Sequence, residues 1–181
     1  MASLASALAV CPENPTIFPL HALASFRGVK RRQEILVNTP QLTVIEDFGH
    51  HPTALAETLR AFRARYKGAL LTAVFEPRSN TARTKAMQAG FEQALALADE
   101  VYLGAVNRPE KLKVEERFDA ETVVLNLQRV GVRARTAVSN VELLELLKTE
   151  TLPPATSRVV AFFSNGSFDG IVQGYAAAVR V

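Results

Sequence analysis

Two stretches, Leu70 to Phe75 and Arg158 to Phe163, are nearly unbroken apolar runs of strand-forming residues. A strand with one wet face alternates polar and apolar positions, whereas a continuous run needs cover on both faces. That cover is at hand. Leu55, Leu59 and Phe62 fall on one face of a helix predicted over Ala54 to Tyr66 and closed by Lys67-Gly68. Met87, Phe91, Ala94, Leu95 and Ala98 do the same for a helix over Thr81 to Ala98. Further strands are expected over Glu100 to Val106 and Val132 to Val138. Further helices are expected over Ala120 to Val130, Val141 to Lys148 (with Asn140 as its cap) and Asp169 to Val179. Gln33 to Val37 and Leu42 to Phe48, joined by Asn38-Thr39-Pro40, read as a hairpin. The alternation predicts an α/β, Rossmann-like three-layer domain with a mostly parallel sheet of about six strands and one antiparallel edge strand.

The start of the chain breaks this pattern. Ala2 to Val10 and Leu20 to Phe26 read as short apolar helices split by Cys11-Pro12-Glu13-Asn14-Pro15. With no strand between them they make a poor core of their own. Residues 1–26 are therefore expected to be a helical piece of a preceding domain, and residues 27–181 the α/β domain.

Bulk properties narrow the function classes. Apolar residues make up 48% and charged residues 22%, which suits a globular protein with a buried core. The net charge of +3 is mild, and the basic residues are scattered apart from Arg27 to Arg32, so no nucleic-acid partner is expected. No apolar run reaches the roughly 18 residues of a membrane span. The lone Cys11 cannot form an internal disulfide, which fits a reducing cytoplasm.

In a parallel sheet, ligands bind outside the carboxyl ends of the strands. The loops expected there are Glu46-Asp47-Phe48-Gly49-His50-His51-Pro52, Glu76-Pro77-Arg78-Ser79-Asn80-Thr81, Gly104 to Pro109, and Ser164-Asn165-Gly166-Ser167-Phe168-Asp169-Gly170. Each has a plain structural use beside a chemical one. Asp47 could satisfy backbone donors at a helix start or hold a ligand. Arg78 could be an ordinary surface residue or an anion reader beside a helix N-terminus. Adjacent His50 and His51 rarely both face one metal, so one is expected to cap or pack and the other to face the cleft. Phe48 and Phe168 could plug the core or offer flat faces to a base. No Gly-x-x-x-x-Gly-Lys-Ser/Thr run occurs, so the chain cannot cradle a triphosphate in that way.

Together, Asp47 to Thr53 preceded by Gly28-Val29-Lys30-Arg31-Arg32, with Glu76 to Thr81 and Ser164-Asn165-Gly166-x-Phe168-x-Gly170-Ile171, resemble the carboxy-terminal domain of the Mur ligases. Within that family the match is most similar to the members that recycle murein peptide. The resemblance covers about residues 20–181. It implies further domains, one binding UDP-sugar and a central P-loop ATPase that would hold most of the ATP and Mg2+. It also implies UDP-N-acetylmuramate and a murein tripeptide as substrates, and acyl-phosphate formation followed by amine attack. Carried over by position, Arg32, Asp47 and Phe48 would meet the nucleotide. His50 would face the incoming amine substrate, and Arg78, Ser79 and Asn80 would read its carboxylate. Asn107 and Arg108 lie where a relative carries a specificity loop, in a different residue order, and Ser164 and Asn165 would line the same site. Alternatives are the L-alanine-adding relative, or a freestanding α/β module for a nucleotide or anion.

Overall fold

The computed structural model describes residues 28–180. The helices expected before residue 27, and Cys11, lie outside the described residues. Strands β1 (Glu34–Asn38), β2 (Leu42–Asp47), β3 (Leu70–Phe75), β4 (Glu100–Leu103), β5 (Arg133–Thr136) and β6 (Arg158–Phe163) form a sheet in the order β1-β2-β6-β3-β4-β5. β1 pairs antiparallel with β2, and every other pairing is parallel. The two continuous apolar runs, β6 and β3, lie side by side in the middle of the sheet, where both faces are covered.

Helices α1 (Pro52–Arg65), α2 (Gln88–Leu95) and α3 (Ala120–Arg129) cover one face, and α4 (Asn140–Thr151) and α5 (Ile171–Val179) the other. Side-chain alternation divides the strands between two cores. Val159, Ala161 and Phe163 of β6 join Leu55, Phe62, Phe91 and Leu127. Val160 and Phe162 join Leu143, Leu147 and Tyr175.

Two expectations need correction. The helix expected over Thr81 to Ala98 is shorter. It begins at Gln88, after a 3-10 turn at Lys85–Met87, and ends at Leu95. The Ser79 Oγ accepts from Ala82 N at 2.9 Å, and Thr84 Oγ1 donates to Thr81 O at 2.7 Å. Such local side-chain bonds compete with helix. The segment is also drawn into a bridge between Thr84 and Arg117. Second, Ser139 rather than Asn140 caps α4, accepting from Glu142 N at 3.2 Å. The Asn140 side chain instead accepts from Ala105 N at 2.9 Å and donates to Asp169 at 2.7 Å, tying together the loops after β4 and β6. The remaining ends shift by a few residues, as helix and strand ends commonly do.

Charge gathers around the amino-terminal end of the sheet. Glu100 is buried between Arg158, which donates to it, and Arg133 at 2.9 Å. Thr72 Oγ1 donates to the same carboxylate at 3.1 Å. Glu150 takes Arg133 at 3.1 Å, Arg135 at 3.4 Å and the Tyr102 hydroxyl at 2.7 Å. Burial alone would raise the Glu150 carboxyl, but the Tyr102 hydroxyl and both arginines outweigh it and hold it below the ordinary range. Burial and the bond to Glu150 push the Tyr102 hydroxyl far upward.

Candidate functional site

The order β2-β6-β3-β4 makes the four polar loops consecutive neighbours along one edge. Backbone bonds stitch them together. Ser164 N donates to Asp47 O at 3.1 Å, Glu76 N to Phe163 O at 3.0 Å, and Asn107 N to Pro77 O at 3.2 Å. Sequence marks each loop as polar. Their adjacency comes from β6, which inserts between β2 and β3 although it follows them in the chain.

After β2, the Asp47 carboxylate is buried. Its Oδ1 accepts from Gly49 N at 2.7 Å and its Oδ2 from Gln33 N at 3.0 Å. Gly49 has no room for a side chain, since a Cβ would stand 2.8 Å from Asp47 Oδ1. Phe48 is half-buried, with the guanidinium carbons of Arg31 and Arg32 each 5.3 Å from its ring centroid, a cation–π distance. The His50 Nδ1 lies 3.0 Å from Phe48 O, and its ring meets Phe48 edge-on at 5.4 Å. His51 caps α1, with Nδ1 3.4 Å from Thr53 N. His51 thus takes the capping use expected of one of the pair.

After β3, Glu76 is buried and accepts from the Ser164 hydroxyl. It also pairs with Arg78 at 3.3 Å. Arg78 lies across Gly166, where any Cβ would collide with its Nε, Cδ and Cζ. The glycine of the Ser164-Asn165-Gly166 turn is thus a seat for Arg78. Ser79 is spent on its turn, and Asn80, which is exposed, accepts from Arg83 Nη2 at 3.0 Å.

Arg83 escaped the sequence reading. It is 9% exposed, its Nε has no hydrogen-bond partner among the described residues, and Asn80 is the side chain it holds. Only its place in an Arg-rich loop could have marked it.

After β4, Arg108 is exposed in the left-handed backbone region at φ 48°, and Asn107 is tied through its backbone. After β6, Ser164 is buried and its hydroxyl also accepts from Gly166 N at 2.9 Å. The side-chain oxygen of Asn165 is buried without a partner among the described residues. Phe168 is fully buried and edge-on to Phe162 at 6.4 Å, so of its two possible uses it plugs the core. Beyond these loops, a cavity of about 510 Å³ opens between the ends of β4 and β5 and the start of α3. Arg117 and Asp119 are among the residues that line it.

Chemically, this edge joins a half-buried aromatic under two guanidinium ions to a seated arginine suited to gripping a carboxylate from two sides. Among the described residues it holds no assembled nucleophile–base pair.

A family model described as Mur ligase, glutamate ligase domain, matches residues 31–160. The UDP-N-acetylmuramate–L-alanyl-γ-D-glutamyl-meso-2,6-diaminoheptandioate ligase of Haemophilus influenzae is 34% identical over 153 residues, 84% of this chain and 31% of the relative. A UDP-N-acetylmuramate–L-alanine ligase of Streptococcus mutans is 46% identical over 85 residues, 46% of this chain and 18% of the relative. Among solved structures, a domain described as part of a UDP-N-acetylmuramate:L-alanyl-γ-D-glutamyl-meso-diaminopimelate ligase of Haemophilus ducreyi is 27% identical. It superposes with a TM-score of 0.62, covering 82% of this chain and 99% of that one. The chain spans about a third of the length of the curated ligases that it matches over most of its own.

Proposed function

This chain belongs to the Mur ligase family, whose glutamate ligase domain it carries, and we propose that it is the domain that closes an ATP site and presents the acceptor in a ligase joining UDP-N-acetylmuramate to a murein tripeptide. The observation that carries this reading is the adjacency of four polar loops on one strand edge, with Arg78 seated on Gly166 beside the Asp47-Phe48-Gly49-His50 loop. A single structural loop needs only a turn and a cap.

In such a ligase ATP, with Mg2+, supplies the phosphoryl group that activates the muramoyl carboxylate, and both would be held mainly by a P-loop domain outside these residues. The residues of this edge fit a nucleoside. Arg32 is exposed and able to leave the Phe48 ring for a phosphate or base. Each Asp47 oxygen accepts one backbone N–H and retains further acceptor capacity for a ribose hydroxyl.

On the acceptor side, Arg78 grips a carboxylate of the peptide, with Ser164, Asn165 and the Ser79-Asn80 turn shaping its surroundings. Asn107 and Arg108 flank the outer end, and His50 faces the amine. Holding the amine against an activated carboxyl contributes through proximity and orientation. Closure of the domain excludes water. The place of action is the cytoplasm, where the nucleotide substrates are; no described helix is long and apolar enough to cross a membrane.

The L-alanine-adding activity is the second reading, favoured by the 46% identity to the Streptococcus ligase over 85 residues. One assay separates them. The complete ligase carrying this domain is expected to consume ATP with the tripeptide and not with L-alanine, and the reverse result supports the second reading. The chain by itself is expected to show no ligation, and ATP-dependent ligation by it alone would contradict the proposal. Sequence upstream of Met1 encoding Gly-x-x-x-x-Gly-Lys-Thr in the same reading frame supports the ligase over a freestanding module.

A further inference from the structure

Arg31 has no part in the roles given above, yet it is held more firmly than any neighbour in its segment. Its φ is +60°, a left-handed backbone that side-chain-bearing residues rarely hold without support. Its own N–H donates to Glu34 Oε2 at 2.8 Å. Its Nε donates to Glu46 Oε1 at 2.7 Å. Its Nη2 donates to the carbonyls of Ser164, at 2.8 Å, and of Gly166. Its guanidinium carbon lies over the Phe48 ring, 5.3 Å from the centroid.

Those carbonyls belong to the turn that seats Arg78. Gly166 therefore stands between two arginines, its carbonyl held by Arg31 and its Cα carrying the stem of Arg78. The other anchor of Arg78 is Glu76, which Ser164 also binds. One fixture of Arg78 is thus the turn that Arg31 holds, and the other, Glu76, is bonded to the same turn through Ser164.

We propose that Arg31 is a positioning residue for Arg78, so that the segment leading into the domain sets the geometry of its anion-reading arginine through the Ser164–Gly166 turn. Interfaces packed this closely shift between discrete arrangements rather than deforming smoothly. A movement of the leading segment that withdraws Arg31 frees the turn, and Arg78 leaves its seat. The functional consequence rests on the reading of Arg78 as the acceptor-carboxylate residue; the coupling itself rests on geometry alone.

Nitrogen-15 NMR of the chain tests it. The Nε–H signal of Arg78 is assigned by its loss in Arg78→Lys, then compared between the unaltered chain and Arg31→Lys. The substitution keeps the charge but loses the fork. The expected result is an Arg78 signal that shifts and exchanges rapidly with water while the β3 and β4 amides stay in place. An unmoved signal in a folded Arg31→Lys chain overturns the proposal. Should that variant fail to fold, Gly166→Ala pushes Arg78 from the other side. Because coupling is reciprocal, the Arg31 Nε–H signal must then move. A stationary Arg31 signal overturns the proposal equally.

In the complete ligase, Arg31→Lys is expected to raise the acceptor KM roughly tenfold. A moved Arg78 signal with an unchanged acceptor KM leaves the coupling standing and removes Arg78 from the acceptor site.

Discussion

Around the amino-terminal end of the sheet, Arg133, Arg135 and Arg158 each lie within ion-pair distance of Glu100 or Glu150. At the carboxyl end the pairing is partial: Arg31 pairs with Glu46 at 2.7 Å and Arg78 with Glu76 at 3.3 Å, while Arg32 and Arg108 are exposed and form no ion pair among the described residues. The same residue type thus serves two ends. One end neutralises its cations internally and gains a fixed structure. The other pairs Arg31 and Arg78 but leaves the exposed charges of Arg32 and Arg108 to be met by something that arrives. A buried charge stripped of its partner is costly, whereas an exposed one is nearly neutral for stability. The contrast therefore predicts where a substitution harms folding and where it harms binding.

The sharpest break of that contrast is Glu100→Ala. It leaves Arg158 buried without its carboxylate, and an unfolding free energy lower by about 3–5 kcal/mol is expected from urea denaturation. A loss under about 1 kcal/mol would mean that water already screens the pair. Next comes Gly104→Ala at the carboxyl end, where a Cβ would stand 2.5 Å from the Phe168 ring and 2.9 Å from Asn140. A loss of about 1–3 kcal/mol from overpacking is expected in the same measurement. It would show that the floor beneath the polar loops is rigid.

Acid titration probes the amino-terminal end further. The folded Glu150 carboxyl titrates below its ordinary value, so the unfolded chain takes up its proton first as pH falls. The stability it contributes is complete above about pH 4.5 and drains away as pH drops through the lowered folded value. Glu150→Gln is therefore expected to flatten the decline of stability below that pH, followed by denaturation across a pH series; an unchanged slope would place the acid sensitivity elsewhere. Smallest is Arg32→Ala, with stability expected within about 0.5 kcal/mol of the unaltered chain. In the complete ligase the same change is expected to weaken nucleotide binding, read from the nucleotide KM, with the acceptor KM held.

Much of this was legible from residues alone, for reasons that particular elements make plain. The apolar runs of β3 and β6 announced a sheet covered on both faces, and the polar loops after them announced an edge with chemistry. The capping use expected of one of the adjacent histidines falls to His51. The strand order was not legible, because nothing local states that β6 enters between β2 and β3. Arg31 stayed hidden because its partners are carbonyls at Ser164 and Gly166, 133 and 135 residues away, and a carbonyl leaves no mark in sequence. The late start of α2 was missed because Ser79 and Thr84 bind their own backbone, which periodicity does not register. Asn140 was read as a cap one residue from the true one. Its real partners, Ala105 and Asp169, belong to loops that only the fold brings together.

The central claim is that the carboxyl end of the sheet reads an anionic acceptor through Arg78. Its most direct test is steady-state kinetics of the complete ligase carrying Arg78→Lys, which keeps the charge and loses the bidentate fork. The expected result is a tripeptide KM raised at least about tenfold with the ATP KM unchanged. Equal tripeptide KM values for the two enzymes would contradict the account.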